Sequence, residues 1–228
     1  MKKAKNIKII SVDFFRTIID VEPTSETLWQ KFLRENFPGK ISMKYGQRAE
    51  EILRRRWDTA GIDDKQFKSV RTINEETARE LFTEIESDYD PKLAANTIID
   101  AHKIHNTFQD VQPFLHSLGH KYPVCLSTDA DFDMLENISD IYPFNNRFIS
   151  EELQAYKPNP RFFKHLLNHY KVKPENILHI GDSKYDIIAP KGLGIQTCWL
   201  NRNNNQWDHA VKPDFEVKSL LEIPDLLD

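Results

Sequence analysis

The sequence predicts an α/β protein in which a parallel sheet is flanked by helices and an all-helical domain is inserted after the first strand. Three observations predict it. Short apolar, β-branched runs recur at Ile7–Val12, Val124–Leu126 and Ile177–Ile180, with a fourth at Thr197–Leu200. Helical periods lie between the later runs, and strand–helix–strand alternation with apolar strands marks a parallel sheet covered on both faces. The stretch from Val21 to His105 carries helical periods and no strand candidate of comparable quality. Together these give a discontinuous, Rossmann-like core of residues 1–20 and 107–228 and a helical domain at 21–106.

Each element has its own signal. The first run stops abruptly at an acid, Asp13. In the helical domain, Ala49, Ile52, Leu53 and Trp57 form one stripe, and Ala78, Leu81, Phe82 and Ile85 form a second behind Asn74. Ala94, Thr97, Ile98 and Ala101 form a third behind Asp90 and Pro91, a cap followed by a proline at the first turn. The core resumes near Phe108. Phe163, Leu166, Leu167 and Tyr170 fall at helical spacing behind Asn159 and Pro160, and Asn201–Asn205 is a polar turn.

Composition narrows the function. Of 228 residues, 39% are hydrophobic and 29% charged, with a net charge of −4 at pH 7, so nothing marks a general nucleic-acid binder. Cys125 and Cys198 sit in apolar runs and suit buried free thiols in a reducing compartment, with a single disulfide left open. No apolar run reaches membrane-spanning length, and the basic Met1–Lys5 start makes a poor signal peptide. The expectation is a cytoplasmic protein with a small-molecule, anionic partner; oligomeric state is not readable.

Several strands end on a reactive group. The first ends on Asp13, "VCLSTD" on Ser127 and Thr128, and "ILHIGDSKYD" on Gly181 and Asp182, with Asp186 about one helical turn later. In an open parallel sheet these groups converge beyond the carboxyl ends of the strands. Carboxylates brought together repel and raise each other's pKa unless a cation joins them, and an all-oxygen set favours a hard ion, Mg²⁺ above all. Lys157, in the proline-rich "AYKPNP", adds a positive charge near the same edge. Other signals have plainer readings. "DADFD" (Asp129, Asp131, Asp133) imitates half of a calcium loop, but Met134 and Asp140 occupy the positions that need Gly and Glu, so a loop and helix start is expected. "RRRW" (Arg54–Trp57) fans around a helix as a solvated face, and His102 and His105 are expected on a helix surface.

"DFFRT", "CLSTD", "YKPNP" and "GDSKYD", in this order at strand ends, resemble the motifs of the haloacid dehalogenase-like (HAD) hydrolase superfamily. The resemblance covers roughly residues 6–20 and 108–216, and the helical insert resembles the family's cap. It implies that Asp13 is a nucleophile forming a covalent aspartyl intermediate, that Ser127 bonds a phosphoryl oxygen, and that Lys157 neutralises charge. It further implies Mg²⁺ held by Asp13, Asp182, Asp186 and the Phe15 carbonyl, with Thr17 and Thr128 contacting substrate. Arg16 is either an anion anchor or solvated. The chain departs from the family's phosphatases at Phe15, where they carry a second Asp for proton transfer; the L-2-haloacid dehalogenases carry an aromatic there. Three functions follow: a Mg²⁺-dependent phosphatase-like hydrolase, a C–halogen hydrolase, and a phosphometabolite-binding protein without turnover.

Overall fold

The computed structural model describes residues 3–21, 26–37, 40–61, 66–103, 106–118, 121–136, 138 and 144–227. Six strands form one sheet: β1 (Ile9–Val12), β2 (Val124–Thr128), β3 (Asn146–Ile149), β4 (Ile177–Gly181), β5 (Gln196–Leu200) and β6 (Phe215–Val217). All neighbours are parallel, in the order β3-β2-β1-β4-β5-β6. β1, β2 and β4 are buried along their whole length, which is why they are apolar almost throughout. Strand order reverses at β1, the place where such sheets bind ligands. Val12 pairs with both Leu126 and Ile180, so Asp13, Ser127 and Gly181 come level at the carboxyl edge.

Among the described residues the α-helices are α1 (Leu28–Asn36), α2 (Lys40–Ala60), α3 (Val70–Glu84), α4 (Pro91–His102), α5 (Val111–Leu118), α6 (Ser150–Leu153), α7 (Pro160–Tyr170), α8 (Ile188–Gly192) and α9 (Ile223–Leu226). The chain divides into an α/β unit, Met1–Asp20 with Asn106–Asp129 and Asn137–Asp228, and a helical unit, Val21–His105 with Ala130–Glu136. No described helix is long and apolar enough to cross a membrane.

In the α/β unit, α7 starts where Asn159 accepts a hydrogen bond from the Arg161 N–H, with Pro160 in the first turn. Its Phe162, Phe163 and Leu166 are fully buried against Cys125, Phe148 and Ile177. Each such side chain contributes roughly 1.5–3 kcal/mol by leaving water. Cys125 and Cys198 are buried free thiols.

The helical unit has a core of its own, built on Trp29, Phe32, Leu33, Ile52, Leu81 and Phe82. α1 opens with a capping box between Thr27 and Gln30, and α4 opens at Asp90 and Pro91. α3 corrects the boundary expected at Asn74: it begins at Val70, behind Ser69. Asn74 instead lies inside the helix, where its amide donates to the Val70 carbonyl and accepts from the Trp29 indole. The Asp131 carboxylate takes the N–H groups of Val70 and Arg71, which ties the 130–136 segment to this unit. "RRRW" also departs from a merely solvated face, since Arg56 reaches Glu76 and Glu80 of α3, both at 2.7 Å, and Arg55 pairs with Glu80. His102 is half-buried, its Nδ1 bonded with the Ile98 carbonyl; His105 and Asp140 lie outside the described residues.

Candidate active site

β1 delivers Asp13 to the sheet edge, where its N–H donates to the Ile180 carbonyl. The chain then coils tightly: the Phe14 carbonyl accepts the N–H groups of Ile18 and Ile19 at 2.8 and 2.9 Å. Arg16 takes a left-handed conformation, φ 64°, to make the turn. An arginine there carries a conformational cost that glycine would not. Arg16 is exposed, and its charge partly offsets the burial and neighbouring carboxylates that raise the pKa of Asp182.

Lys157 is the hub. It is buried on the loop before α7, and its Nζ donates to Asp13 Oδ1 at 2.6 Å, to Asp186 Oδ1 at 2.6 Å and to the Ser127 carbonyl at 3.2 Å. Burial alone would strip its proton, but Asp13, Asp186 and Asp129 outweigh that and raise its pKa, so it stays charged.

The "GDSKYD" stretch explains its own composition. A Cβ on Gly181 would sit 2.2 Å from Asp186 Cγ, so the carboxylate of Asp186 occupies the space that glycine leaves. Asp186 Oδ2 accepts from the Ser183 N–H at 3.2 Å and hydroxyl at 2.6 Å. Burial works against its ionisation, but Lys157 and His179 hold it well below the usual carboxylate range. Asp182 is partly exposed, and the Trp199 indole donates to its carbonyl at 2.9 Å.

Asp13, Asp182 and Asp186 each offer an oxygen within 4.8 Å of the others. Burial first, then the neighbouring carboxylates, push Asp182 up to about 8; burial pushes Asp13 up to about 6 against the pull of Lys157. Asp13 and Asp182, with raised proton affinity, and the ionised Asp186 make three hard oxygen donors; the set fits a hard divalent cation, which would take the place of the protons on the first two.

Under the site runs a buried chain of side chains across three strands. Ser127 Oγ lies 2.7 Å from Ser11 Oγ, Ser11 Oγ lies 2.8 Å from His179 Nδ1, and His179 Nε2 lies 3.3 Å from Asp186 Oδ1. The donors follow from chemistry. Burial keeps His179 neutral, and an ionised carboxylate only accepts, so Nε2 carries the proton. Nδ1 then accepts from Ser11, and Ser11 accepts from Ser127. The Ser127 proton is therefore turned inward. The Thr17 and Thr128 hydroxyls, by contrast, are buried and without a hydrogen-bond partner among the described residues.

A family model for haloacid dehalogenase-like hydrolases matches residues 7–194. The chain belongs to that family. This hydrolase is similar to a phosphoglycolate phosphatase of Vibrio vulnificus, 24% identical over 98% of this chain and 97% of the relative. It is 27% identical to (S)-2-haloacid dehalogenase 2 of a Pseudomonas species over 53% of this chain and 55% of the relative. Among solved structures, the magnesium-bound HAD-hydrolase YfnB of Bacillus subtilis superposes with a TM-score of 0.79 at 22% identity, covering 98% of this chain and 100% of that one. The L-2-haloacid dehalogenase of Xanthobacter autotrophicus with chloropropionic acid covalently bound gives 0.76 at 16%, covering 96% and 98%. These two likenesses concern the fold.

Three groups of the HAD-like hydrolase's site escape a strand-end reading. Ser11 and His179 look like polar interruptions in apolar runs, and only parallel pairing of β1 with β4 brings them together. Trp199 lies on the next strand. The alternation within "IISVD" and "ILHIGD" is the signal that finds Ser11 and His179, since Ser11 lies two residues before Asp13 and His179 two before Gly181, on a shared face.

Proposed function

We propose that this chain is a Mg²⁺-dependent phosphatase that hydrolyses a small phosphorylated metabolite through an aspartyl-phosphate at Asp13. The observation that carries the reading is the cluster of Asp13, Asp182 and Asp186 beside the Lys157 ammonium. A reaction at carbon that expels halide has no use for three carboxylates in one place.

Asp13 attacks the phosphorus with the oxygen that Lys157 does not hold. Lys157 stabilises charge on the transferring group and keeps Asp13 aligned. The Thr17 and Thr128 hydroxyls would donate to phosphoryl oxygens, a role supported by their lack of partners among the described residues. Ser127, its proton committed to Ser11, contributes its carbonyl to Lys157. Asp13, Asp182, Asp186 and the Phe15 carbonyl would hold Mg²⁺. The ion, when bound, offsets charge on the phosphoryl group. The helical unit would act as the cap that selects the substrate.

A C–halogen hydrolase is the second reading, favoured by Phe15, which cannot move a proton; halide leaves without needing one. A panel of phosphate esters and 2-haloacids, assayed with and without EDTA, separates the two. Phosphate release that EDTA abolishes and Asp13→Asn removes is expected. Metal-independent halide release would replace the proposal with the second reading.

A further inference from the structure

The loop leaving β2 holds one carboxylate more than this reaction uses. The acidic stretch Asp129, Asp131, Asp133 is split by the fold. Asp131 accepts from the backbone of α3, and Asp133 pairs with Arg71 and Lys103, all inside the helical unit. Asp129 stays with the α/β unit. Its Oδ1 accepts the backbone N–H of Lys157 at 3.1 Å. The carboxylate is thereby fixed to the residue whose side chain bridges Asp13 and Asp186. Its Oδ2 takes no hydrogen bond among the described residues, and the residue is only partly buried. One oxygen is anchored; the other is left for a proton.

The surroundings suit a carboxyl that changes state near neutrality. The charged groups acting on it are Lys157 before α7, Asp186 after β4 and Asp13 at the end of β1. Burial pushes Asp129 up to about 7, against the lowering effect of Lys157. A general acid is most effective with a pKa close to the working pH.

We propose that Asp129 is the proton donor and acceptor of the hydrolysis, in the role that Phe15 cannot fill. In the first step Asp13 forms a bond to phosphorus and the bond from phosphorus to the leaving oxygen breaks. Asp129 gives its proton to that oxygen, so an alcohol departs. In the second step water attacks phosphorus, the bond to Asp13 breaks, and the Asp129 carboxylate takes the water proton. The sum is ester plus water to alcohol plus phosphate, with Asp13 ionised and Asp129 protonated again.

The inference rests on the phosphatase reading, and leaving-group dependence tests the two apart. An alkyl phosphate needs its leaving oxygen protonated; p-nitrophenyl phosphate, with a far weaker base leaving, does not. Asp129→Asn keeps an acceptor for the Lys157 N–H but has no proton to transfer. The expected result is a loss of kcat/KM on the alkyl ester that exceeds the loss on the aryl ester by about 10²-fold, within the range for general acid catalysis. Equal losses on both would show a merely structural Asp129 and overturn the inference. Release of phosphate from neither ester by the wild type would overturn the phosphatase reading instead. If Asp129→Asn does not fold, the wild-type pH profile decides: the alkyl-to-aryl ratio of kcat/KM should fall as pH rises through about 7. A flat ratio counts against Asp129.

Discussion

Phe15 and Asp129 belong to one argument at the scale of single residues. If the proton comes from Asp129, placing Asp at position 15 should matter most where Asp129 is gone. Phe15→Asp is expected to raise alkyl-phosphate turnover by about tenfold in the Asp129→Asn background, part of the usual acid–base factor, and by less in the wild type. Steady-state kinetics on the four variants checks this after each is shown to fold. The cation site gives a pH prediction. Asp13 and Asp182 have folded pKa values of about 6 and about 8, above the ordinary carboxylate range. Such groups stabilise the fold in their protonated form, and that contribution is lost as pH rises through the folded values. The cation-free protein should therefore lose stability from the ordinary carboxylate pKa of 3.8 up to about pH 8, with the Asp13 part lost by about pH 6, and Mg²⁺ should restore it. The rise in Tm on adding Mg²⁺ is expected to be larger at pH 8 than at pH 6, and Asp182→Asn should remove most of it. Most of these residues were legible because they sit one after another at strand ends, where a carboxylate has no structural reason to follow an apolar run. Asp129 was not, because Asp129, Asp131 and Asp133 look alike in sequence and only the fold sends them to different partners.

Among elements, the turn from Gly181 to Asp186 bears most on the site. Gly181→Ala would place a methyl 2.2 Å from Asp186 Cγ, close to the backbone end of that side chain. Something must move, and overpacking of this kind costs about 1–3 kcal/mol. The expected outcome is a lower Tm together with weaker Mg²⁺ binding by calorimetry, because Asp186 is the atom group displaced. A lower Tm with unchanged Mg²⁺ affinity would mean that the backbone yields instead. Elements with strong periodicity or caps were readable: α4 and α7 begin where Asp90-Pro91 and Asn159-Pro160 place them. β1, β2, β4 and β5 match apolar runs to within two residues at each end. β3 and β6 were not anticipated. Asn146–Ile149 and Phe215–Val217 are short edge strands, each hydrogen-bonded to a single neighbour, so they need no continuous apolar run. Their pairing is decided by the strand already in place.

At the scale of the whole molecule, the described residues build one core around Phe148, Phe162 and Phe163 in the α/β unit and another around Trp29, Phe32 and Phe82 in the helical unit. Every carboxylate of the proposed cation site lies in the α/β unit. Two independent cores predict unfolding in two steps rather than one. The proposed Mg²⁺ site lies in only one of them, so Mg²⁺ should shift one step to higher denaturant and leave the other in place. Tryptophan makes the assignment possible, because Trp29 and Trp57 report on the helical unit while Trp199 and Trp207 report on the α/β unit. In a Trp29→Phe, Trp57→Phe protein the fluorescence transition is expected to move with Mg²⁺. A single transition that moves as a whole would show that the units unfold together.

The hydrogen bonds from Ser127 through Ser11 and His179 to Asp186 constrain how this sequence can change over generations. Ser11 and His179 each bond two other members, so a lone Ser11→Ala leaves both a histidine nitrogen and a serine proton stranded in the interior, at a cost of about 1–3 kcal/mol for each group. Once Ser11 is lost, a hydrocarbon at position 179 removes one of the stranded groups. The two substitutions are then less harmful together than their separate costs predict. Such positions drift as a set or not at all, and descendants of this chain would be expected to carry either the full polar series across the three central strands or an oily replacement for all of it.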